Sequence, residues 1–431
     1  MIRNILITFF FFISAISLLA QRTNSSPYSY FGIGEEFKAT TVEQSAMGGI
    51  GVAFSNYKFL NFTNPAAYAD LRYTTYSVGM LNNDLTIKSA TTKQSSISTS
   101  LSYIALAFPI GSKAGFSFGM QPISSIGYSL TTSVLDVNGD LTQITLFEGN
   151  GGVNRIYSSL GMKITKNFSL GAEGDFNFGN IENSISVLRS NVALSTKYNE
   201  VSTVRGKSIK VGAQYQKELK NKLIISTGAT VKLSNKMNVE GNDYLYSLTF
   251  SATGSEFPRD TISSTIVSGS FNMPLTTNFG VGVGKFDNWY AGIEYESQDA
   301  LSTTGLLSGG VDSAYKYRKS SRLSFGGFYL PKVNSISSYW ERVTYRAGIR
   351  FENTGLLVDG SGSNTSFSQI DDFGISFGLG LPLQRLSTIN MGFEFGKRGT
   401  LQNNLIQENY FNLRVSLSLT DVNWFVQRKI D

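Results

Sequence analysis

The side chains that most often do chemistry in proteins are scarce in this sequence. It has no His and no Cys, so it offers no imidazole base, no thiolate and none of the common zinc-ligand sets. Glu294 and Glu296 could act as paired carboxylates for acid catalysis or calcium binding. On a strand, however, both side chains point to one face, where ion pairs with arginines are the simpler role. The sequence therefore predicts no enzyme activity, no cofactor and no metal site.

A glycine-rich run at 280–285 has the composition of a phosphate-binding loop but not its spacing. That motif needs a Gly five positions before its Gly-Lys pair and a Ser or Thr after the Lys. Here those positions hold Phe279 and Phe286. The run fits better as a strand, with Phe279, Val281 and Val283 on one face and glycines on the other.

Most of the chain after residue 72 alternates apolar and polar side chains. In the last clear segment the apolar residues are Phe411, Leu413, Val415, Leu417 and Leu419, and the polar residues between them are Asn412, Arg414, Ser416, Ser418 and Thr420. This period of two is that of a strand with two different faces. In a barrel that spans a lipid bilayer, the apolar face meets lipid and the polar face lines the lumen.

The charged residues of these segments fall on the polar face and carry both signs. The acidic ones are Glu173, Asp175, Glu294, Glu296 and Glu394, and the basic ones are Arg322, Arg342, Arg346, Arg350 and Arg414. We expect them in the lumen, where two roles are open. They form a salt-bridged interior that holds another segment in place, or they form a polar track that guides an anionic head group such as a carboxylate.

The alternating segments predict fourteen antiparallel strands. They lie at about 72–89, 97–110, 115–134, 153–164, 168–190, 204–219, 223–236, 270–285, 289–301, 317–330, 340–352, 371–382, 386–397 and 408–420. Their connections alternate between short turns and longer polar loops, the longest near 237–268. Short turns at one end and long loops at the other are typical of outer-membrane barrels, where the short ends are periplasmic and the long ones extracellular. The aromatic residues of 237–268 make this loop either a candidate docking surface or a loop folded over the mouth of its own barrel.

The ends and the composition of the chain agree with export. Arg3, an apolar stretch from Ile5 to Leu19 and a plausible cut before Gln21 predict a signal peptide over 1–20. The next part, 21–71, does not alternate, and the barrel is expected over 72–431. Charged residues make up 16% of the chain, against about a quarter in soluble domains. The basic residues do not cluster, so no nucleic-acid partner is predicted.

The segment 21–71 carries the clearest family resemblance. Gly48 and Gly49 lie in a stretch of small residues, and Asn64, Pro65 and Ala66 follow. This order resembles the N-terminal hatch of FadL-type outer-membrane transporters, although Ala67 stands where a Gly often follows. The resemblance implies a hatch that plugs the lumen of a fourteen-stranded barrel. By itself, Asn64-Pro65 is a turn former, so the motif is either a structural turn or part of a gate.

Pro122 falls within the third predicted strand. Proline has no N–H to donate and is confined to strand edges and bulges, so we expect a break or a bulge in the wall there. FadL-type transporters have a kinked third strand that makes a lateral opening toward the bilayer. The resemblance therefore implies that Pro122 marks a similar opening, and the alternative is an ordinary bulge.

Two functions follow from the resemblance. The first is passive uptake of a hydrophobic molecule, such as a fatty acid, across the bacterial outer membrane. The second is a non-transporting subunit of a larger machine, a secretion translocon or a barrel-assembly complex, as in FadL-like relatives of the Bacteroidota. Its partners would be other outer-membrane proteins and surface lipoproteins. A general porin is least favoured, because 21–71 would fill the lumen.

Overall fold

The structure is a computed structural model that describes residues 24–251, 255–304, 315–383 and 386–421. The predicted signal peptide lies outside these residues. The strands are β1 (Glu35–Glu36), β2 (Thr74–Lys88), β3 (Lys93–Ile110), β4 (Ala114–Leu135), β5 (Leu141–Lys163), β6 (Phe168–Arg189), β7 (Ser195–Glu218), β8 (Leu223–Lys232), β9 (Asn235–Phe250), β10 (Glu256–Met273), β11 (Thr276–Lys285), β12 (Trp289–Gln298), β13 (Ser302–Thr304), β14 (Tyr315–Tyr317), β15 (Ser320–Tyr329), β16 (Thr344–Val358), β17 (Ser368–Pro382), β18 (Thr388–Gly399) and β19 (Gln407–Asp421).

Helices are few and short. The described residues contain α1 (Val42–Ser45) and 3-10 helices at Pro27–Tyr30, Pro65–Asp70, Trp340–Arg342 and Gln402–Asn404. None of the described helices has the length and apolar character needed to cross a bilayer.

The strands from β2 onward form one closed antiparallel barrel. β19 pairs with β2 from Gln407–Lys88 to Asp421–Thr74, which joins the two ends of the sheet. Four wall strands are each interrupted once, so β8 continues into β9, β10 into β11, β12 into β13 and β14 into β15. The wall therefore has fourteen strands, which confirms the prediction.

The two faces of the wall differ as the alternation predicts. On β11, the side chain of Phe279 is 56% exposed on the outside, whereas that of its neighbour Asn278 is 7% exposed in the lumen. Glu173 and Asp175 are likewise buried inside, next to outward-facing Phe176. Successive side chains point to opposite faces of a strand, so the sequence period becomes an apolar outer surface and a polar lumen.

The prediction of a long loop at 237–268 is wrong. β9 and β10 pair from Asn235–Met273 to Phe250–Glu256, so most of this segment is a hairpin. β5 and β7 also begin earlier than predicted, at Leu141 and Ser195. These extra residues pair with the long ends of β4 and β6. Together, the long ends of β4 to β7, β9 and β10 are called the extension. They lack the strict apolar alternation of the barrel because neither face there needs to match lipid.

Candidate functional site

The residues before the barrel wall, 24–73, pack against inward-facing side chains of the strands and are called the inner segment. Phe62 is fully buried and packs edge-on against two wall tyrosines, with ring centroids 5.0 Å from Tyr103 and 5.6 Å from Tyr157. Tyr68 and Leu71 join the same buried cluster. The inner segment thus shares an apolar core with β3 and β5, and removing it would expose this core inside the lumen.

The glycine stretch of the inner segment touches the wall backbone to backbone. Gly48 and Gly49 have φ of +71° and +87°, a conformation that favours glycine. The Gly48 N–H donates to Ser376 Oγ at 2.9 Å. On the wall, a Cβ at Gly348 would overlap the Gly48 nitrogen, and one at Gly326 would overlap the carbonyl oxygen of Met47. Glycine on both sides allows this close approach.

The Asn64 side chain joins three parts of the molecule. Its Oδ1 accepts from the Ala66 N–H at 3.0 Å and caps the 3-10 helix that begins at Pro65. Its Nδ2 donates to the carbonyl oxygens of Val52 at 2.7 Å and of Ala213, on β7, at 3.0 Å. These contacts match the structural-turn interpretation, and a gating role for the motif stays a prediction.

Glu294 connects the wall directly to the backbone of the inner segment. Its Oε2 accepts from the N–H groups of Gly51 and Val52, each at 2.8 Å. Beside it, Glu296 Oε1 lies 2.9 Å from Lys38 Nζ, which also belongs to the inner segment. The two carboxylates therefore have a structural partner each, and neither is free to act as a paired acid.

Arg322 lies between the same two carboxylates. Its Nη2 is 3.5 Å from Glu296 Oε2 and 3.9 Å from Glu294 Oε1. This arrangement matches the salt-bridged interior, one of the two roles that the charge pattern leaves open.

Glu173 and Asp175 belong to a second buried group of charges. Arg155 Nη1 lies 3.0 Å from Glu173 Oε1 and 3.2 Å from Asp175 Oδ2. Lys210 Nζ lies 2.7 Å from Glu173 Oε1 and donates to the Phe62 carbonyl at 2.7 Å. Sequence reasoning missed Arg155 and Lys210. Alternation along their strands could have found them, because it places both side chains on the inward face. In the structure Arg155 lies opposite Asn177 and Lys210 lies opposite Glu173.

A third group surrounds Arg350. Its Nη1 is 2.7 Å from Glu352 Oε2, and its Nη2 is 2.9 Å from Glu394 Oε1. Arg414 Nη1 reaches the other oxygen of Glu394 at 2.5 Å. Arg398, which the sequence analysis did not select, adds a bridge to the inner segment.

The contacts of Arg398 show how that bridge is made. Its Nη1 lies 2.6 Å from Glu35 Oε1, on β1, and its Nη2 lies 2.6 Å from Glu408 Oε2, on β19. Charged residues from two different parts of the wall, Glu296 and Arg398, thus bind the inner segment at Lys38 and Glu35.

Two of the predicted lumen arginines stand apart from these groups. Arg346 is buried and donates to Asn390 Oδ1 at 3.1 Å, and Asn390 in turn donates to Glu43 of the inner segment at 2.8 Å. Arg342 does not face the lumen. It ends the 3-10 helix before β16, is exposed, and lies over the Tyr339 ring at 5.3 Å. The alternation misled here because the strand begins at Thr344, four residues later than expected.

A cavity of about 230 Å³ lies between the inner segment and the wall. Its charged lining includes Lys38, Arg322, Arg350, Arg398 and Arg414. Each of these cations lies within 4.0 Å of a carboxylate. The cavity therefore has a mixed lining, in which apolar residues such as Ile33 and Leu356 lie beside charges that neutralise one another.

The wall is interrupted beside Pro122. β3 and β4 pair from Ile110–Ala114 only as far as Ile104–Met120, and the described strands form no pair between them beyond that point. The register of β4 against β5 also shifts between Pro122 and Ser124. Ser100 of β3 and Pro122 both line the cavity, so the interruption borders it.

Comparison with known proteins identifies relatives of this fold. The BamG family model matches residues 1–431. No curated protein matches the sequence. Among solved structures, a Pseudomonas aeruginosa FadL homologue shares 15% identity at a TM-score of 0.61, covering 90% of this chain and 99% of that one.

Two toluene transporters have similar values. TodX of P. putida shares 14% identity at a TM-score of 0.60, covering 90% of this chain and 98% of its own. TbuX of Ralstonia pickettii shares 14% at 0.57, covering 90% and 99%. At this identity the likeness shows a shared fold, the FadL-type barrel of outer membranes, and confirms the predicted resemblance.

Proposed function

The chain belongs to the BamG family, and from this premise we propose that it is a barrel subunit of an outer-membrane assembly machine. In this role it scaffolds other proteins and does not need an open lumen. The observation that supports the proposal most is the inner segment, which is bonded to the wall as part of the core.

The contacts of the inner segment are those of a permanent plug. Its backbone lies directly on wall glycines at Gly326 and Gly348, and its N–H groups at Gly51 and Val52 bind Glu294. Buried groups that lose such partners carry the full desolvation penalty. Movement of the plug would break several such contacts together, which favours a closed barrel.

The same proposal assigns an orientation and a surface. Short turns and the inner segment's entry face the periplasm, and the longer connections face the cell exterior, as in other barrels of this class. The extension then projects from the outer membrane on one side of the barrel only. Its outer face offers Val201 and Ile266 in one row across β7, β9 and β10. Other outer-membrane proteins and surface lipoproteins are the partners that we propose for it.

A second candidate function, passive transport of a hydrophobic molecule, is favoured by one specific observation. The interrupted pairing at Pro122 lies at the border of the 230 Å³ cavity, and relatives of this fold include toluene transporters. A lateral opening there would admit the polar end of an amphiphile, such as a fatty acid, to a charged lining. The hydrocarbon tail would stay in the bilayer.

One purification separates the two functions. The protein is tagged at its C-terminus, extracted gently from native outer membranes and analysed by mass spectrometry for proteins and for small molecules. A stoichiometric set of outer-membrane proteins and surface lipoproteins supports the subunit. A lone barrel that carries lipid-like molecules overturns it in favour of transport.

A further inference from the structure

We propose that the unpaired edge of β3, residues 93–103, pairs with an extended strand of a partner polypeptide. The partner strand would lie between β3 and the inner segment and complete the wall there. This inference deepens the proposed function and rests on it, because it requires the chain to work in a complex.

The free edge is defined by the pairing of β3 on its two sides. Toward β2, β3 is paired along nearly its whole length, from Lys93–Lys88 to Ala107–Thr75. Toward β4, it is paired only over Ile104–Ile110. No other described strand pairs with residues 93–103, so the backbone groups on this side have no ladder partner.

The opposite edge of the break is already occupied. β1 of the inner segment pairs antiparallel with β4, Glu35 with Ser125 and Glu36 with Ser124. Phe37 N–H then donates to the Ile123 carbonyl at 2.7 Å. β4 is therefore unable to return to β3 unless β1 leaves. The same contact shows that the β4 side of this break is paired with an added strand.

Farther along β4, the inner segment continues to cover the edge. Asn24 Nδ2 donates to the Ser125 carbonyl at 3.0 Å, and the Gly127 N–H donates to Ser29 Oγ at 3.1 Å. These bonds leave β3 as the uncovered side of the break.

The position of the edge makes an unpaired state unfavourable. A strand tilted by about 40° rises roughly 2.5 Å per residue along the barrel axis. The paired part, Ile104–Ile110, therefore accounts for roughly 15–18 Å of an apolar band about 25 Å tall. The lower end of the free edge falls within that band, where backbone groups need a hydrogen-bond partner. Lipid tails supply none, whereas a polypeptide strand supplies both donors and acceptors.

The residues of the edge suit strand addition. Natural free edges are commonly blocked by Pro, by several charges or by cover from another element. Between Gln94 and Tyr103 there is no Pro and no charged residue, and Ser and Thr predominate. On the outer face, Ile97 is 68% exposed, and Leu101 continues the same row. An added strand with outward apolar residues would extend the lipid-facing surface across the break.

Site-specific photo-crosslinking in native outer membranes tests the proposal. A photoreactive residue replaces Ser95, Ile97 or Thr99 in turn, and as controls it replaces Ile375 or Phe377 of β17, which is paired on both sides. We expect the three β3 positions to crosslink to one protein, at partner residues spaced by two. That spacing is the signature of a paired strand. Adducts with lipid alone, scattered partner sites or equal yields at the controls would overturn the inference.

Hydrogen exchange separates this inference from the proposed function. In the purified complex, the amides of residues 93–103 should exchange at least tenfold more slowly than in the isolated chain, whereas those of β2 stay protected in both. A complex in which the β3 amides still exchange quickly contradicts strand addition and leaves the subunit role standing. Isolation of the chain without any protein partner contradicts both.

Discussion

At the scale of single residues, Glu294 is the side chain that binds the inner segment most directly. It is buried, and its carboxylate accepts two backbone N–H groups and the Asn278 amide, at 2.6 Å. Hydrogen bonds to a charged group contribute about 1.5–3 kcal/mol each. One residue of the wall thus stabilises the turn that follows Gly49.

We expect Glu294→Ala to loosen the inner segment. The N–H groups of Gly51 and Val52 would remain buried without an acceptor, which lowers the free energy of unfolding by about 2–4 kcal/mol. The measurement is urea unfolding, together with the rate of protease cleavage within 24–73. The control is Glu182→Ala, since Glu182 is an exposed side chain of β6. Equal cleavage in the two variants would contradict an anchoring role.

At the scale of elements, glycines of the wall create the space for the inner segment. β16 and β15 approach its backbone at Gly348 and Gly326, where any Cβ would overlap main-chain atoms. Backbone atoms yield less readily than side-chain ends, so these positions set how closely the two elements pack.

Gly348→Ala should therefore destabilise the barrel. Overpacking costs about 1–3 kcal/mol, and we expect the folded band to unfold at a lower temperature in a heat-modifiability gel. Gly174→Ala on β6 is the matched control, because nothing lies within 4 Å of its Cβ position. If both variants unfold at the wild-type temperature, the close contact with Gly48 is unimportant.

Pro122→Ala tests the transport candidate at the same scale. Alanine restores the N–H that proline lacks, so if Pro122 rather than β1 keeps the break open, uptake of a hydrophobic ligand should fall. Folding judged by heat modifiability should stay intact. Pro109→Ala serves as the control, since Pro109 lies in the paired part of β3 opposite Gly115. Uptake that is unchanged in Pro122→Ala rules out a lateral opening at this residue.

At the scale of the whole molecule, the outer surface has two parts. The barrel carries an apolar belt, with Phe377 half-exposed in the middle of β17, whereas the extension exposes residues such as Ile266 beyond the belt. Only the belt matches the requirements of lipid.

An arginine should distinguish the two parts. Phe377→Arg is expected to lower stability in lipid vesicles by about 2–4 kcal/mol, the usual loss near the midplane. Ile266→Arg, at a residue that is 85% exposed, should change it by less than about 0.5 kcal/mol. Denaturant unfolding of vesicle-inserted protein gives both values. A similar loss in the two variants would mean that the extension also contacts lipid.

The sequence alone was enough to predict the wall and much of its lining. A lipid-facing strand must be apolar on every second residue, so the period of two reveals strand number and the inward position of Glu173, Glu294 and Arg350. It was insufficient for the extension, because the exposed face of those strands does not have to match lipid, although Ser202 and Leu248 on the other face are buried. It also misplaced Arg342, because alternation does not show where a strand begins.

The contacts between distant parts of the chain are visible only in the folded molecule. Lys210 reaches the Phe62 carbonyl, Arg398 reaches Glu35, and β1 takes the place of β3 beside β4. Which of the many inward charges form ion pairs with one another depends on strand stagger and on the path of the inner segment. A local sequence pattern carries no information about either. Side-chain alternation along the sequence is thus enough to predict which residues of the strands face lipid and which face the lumen. Three-dimensional packing determined how the lumen is filled and where the wall is left open.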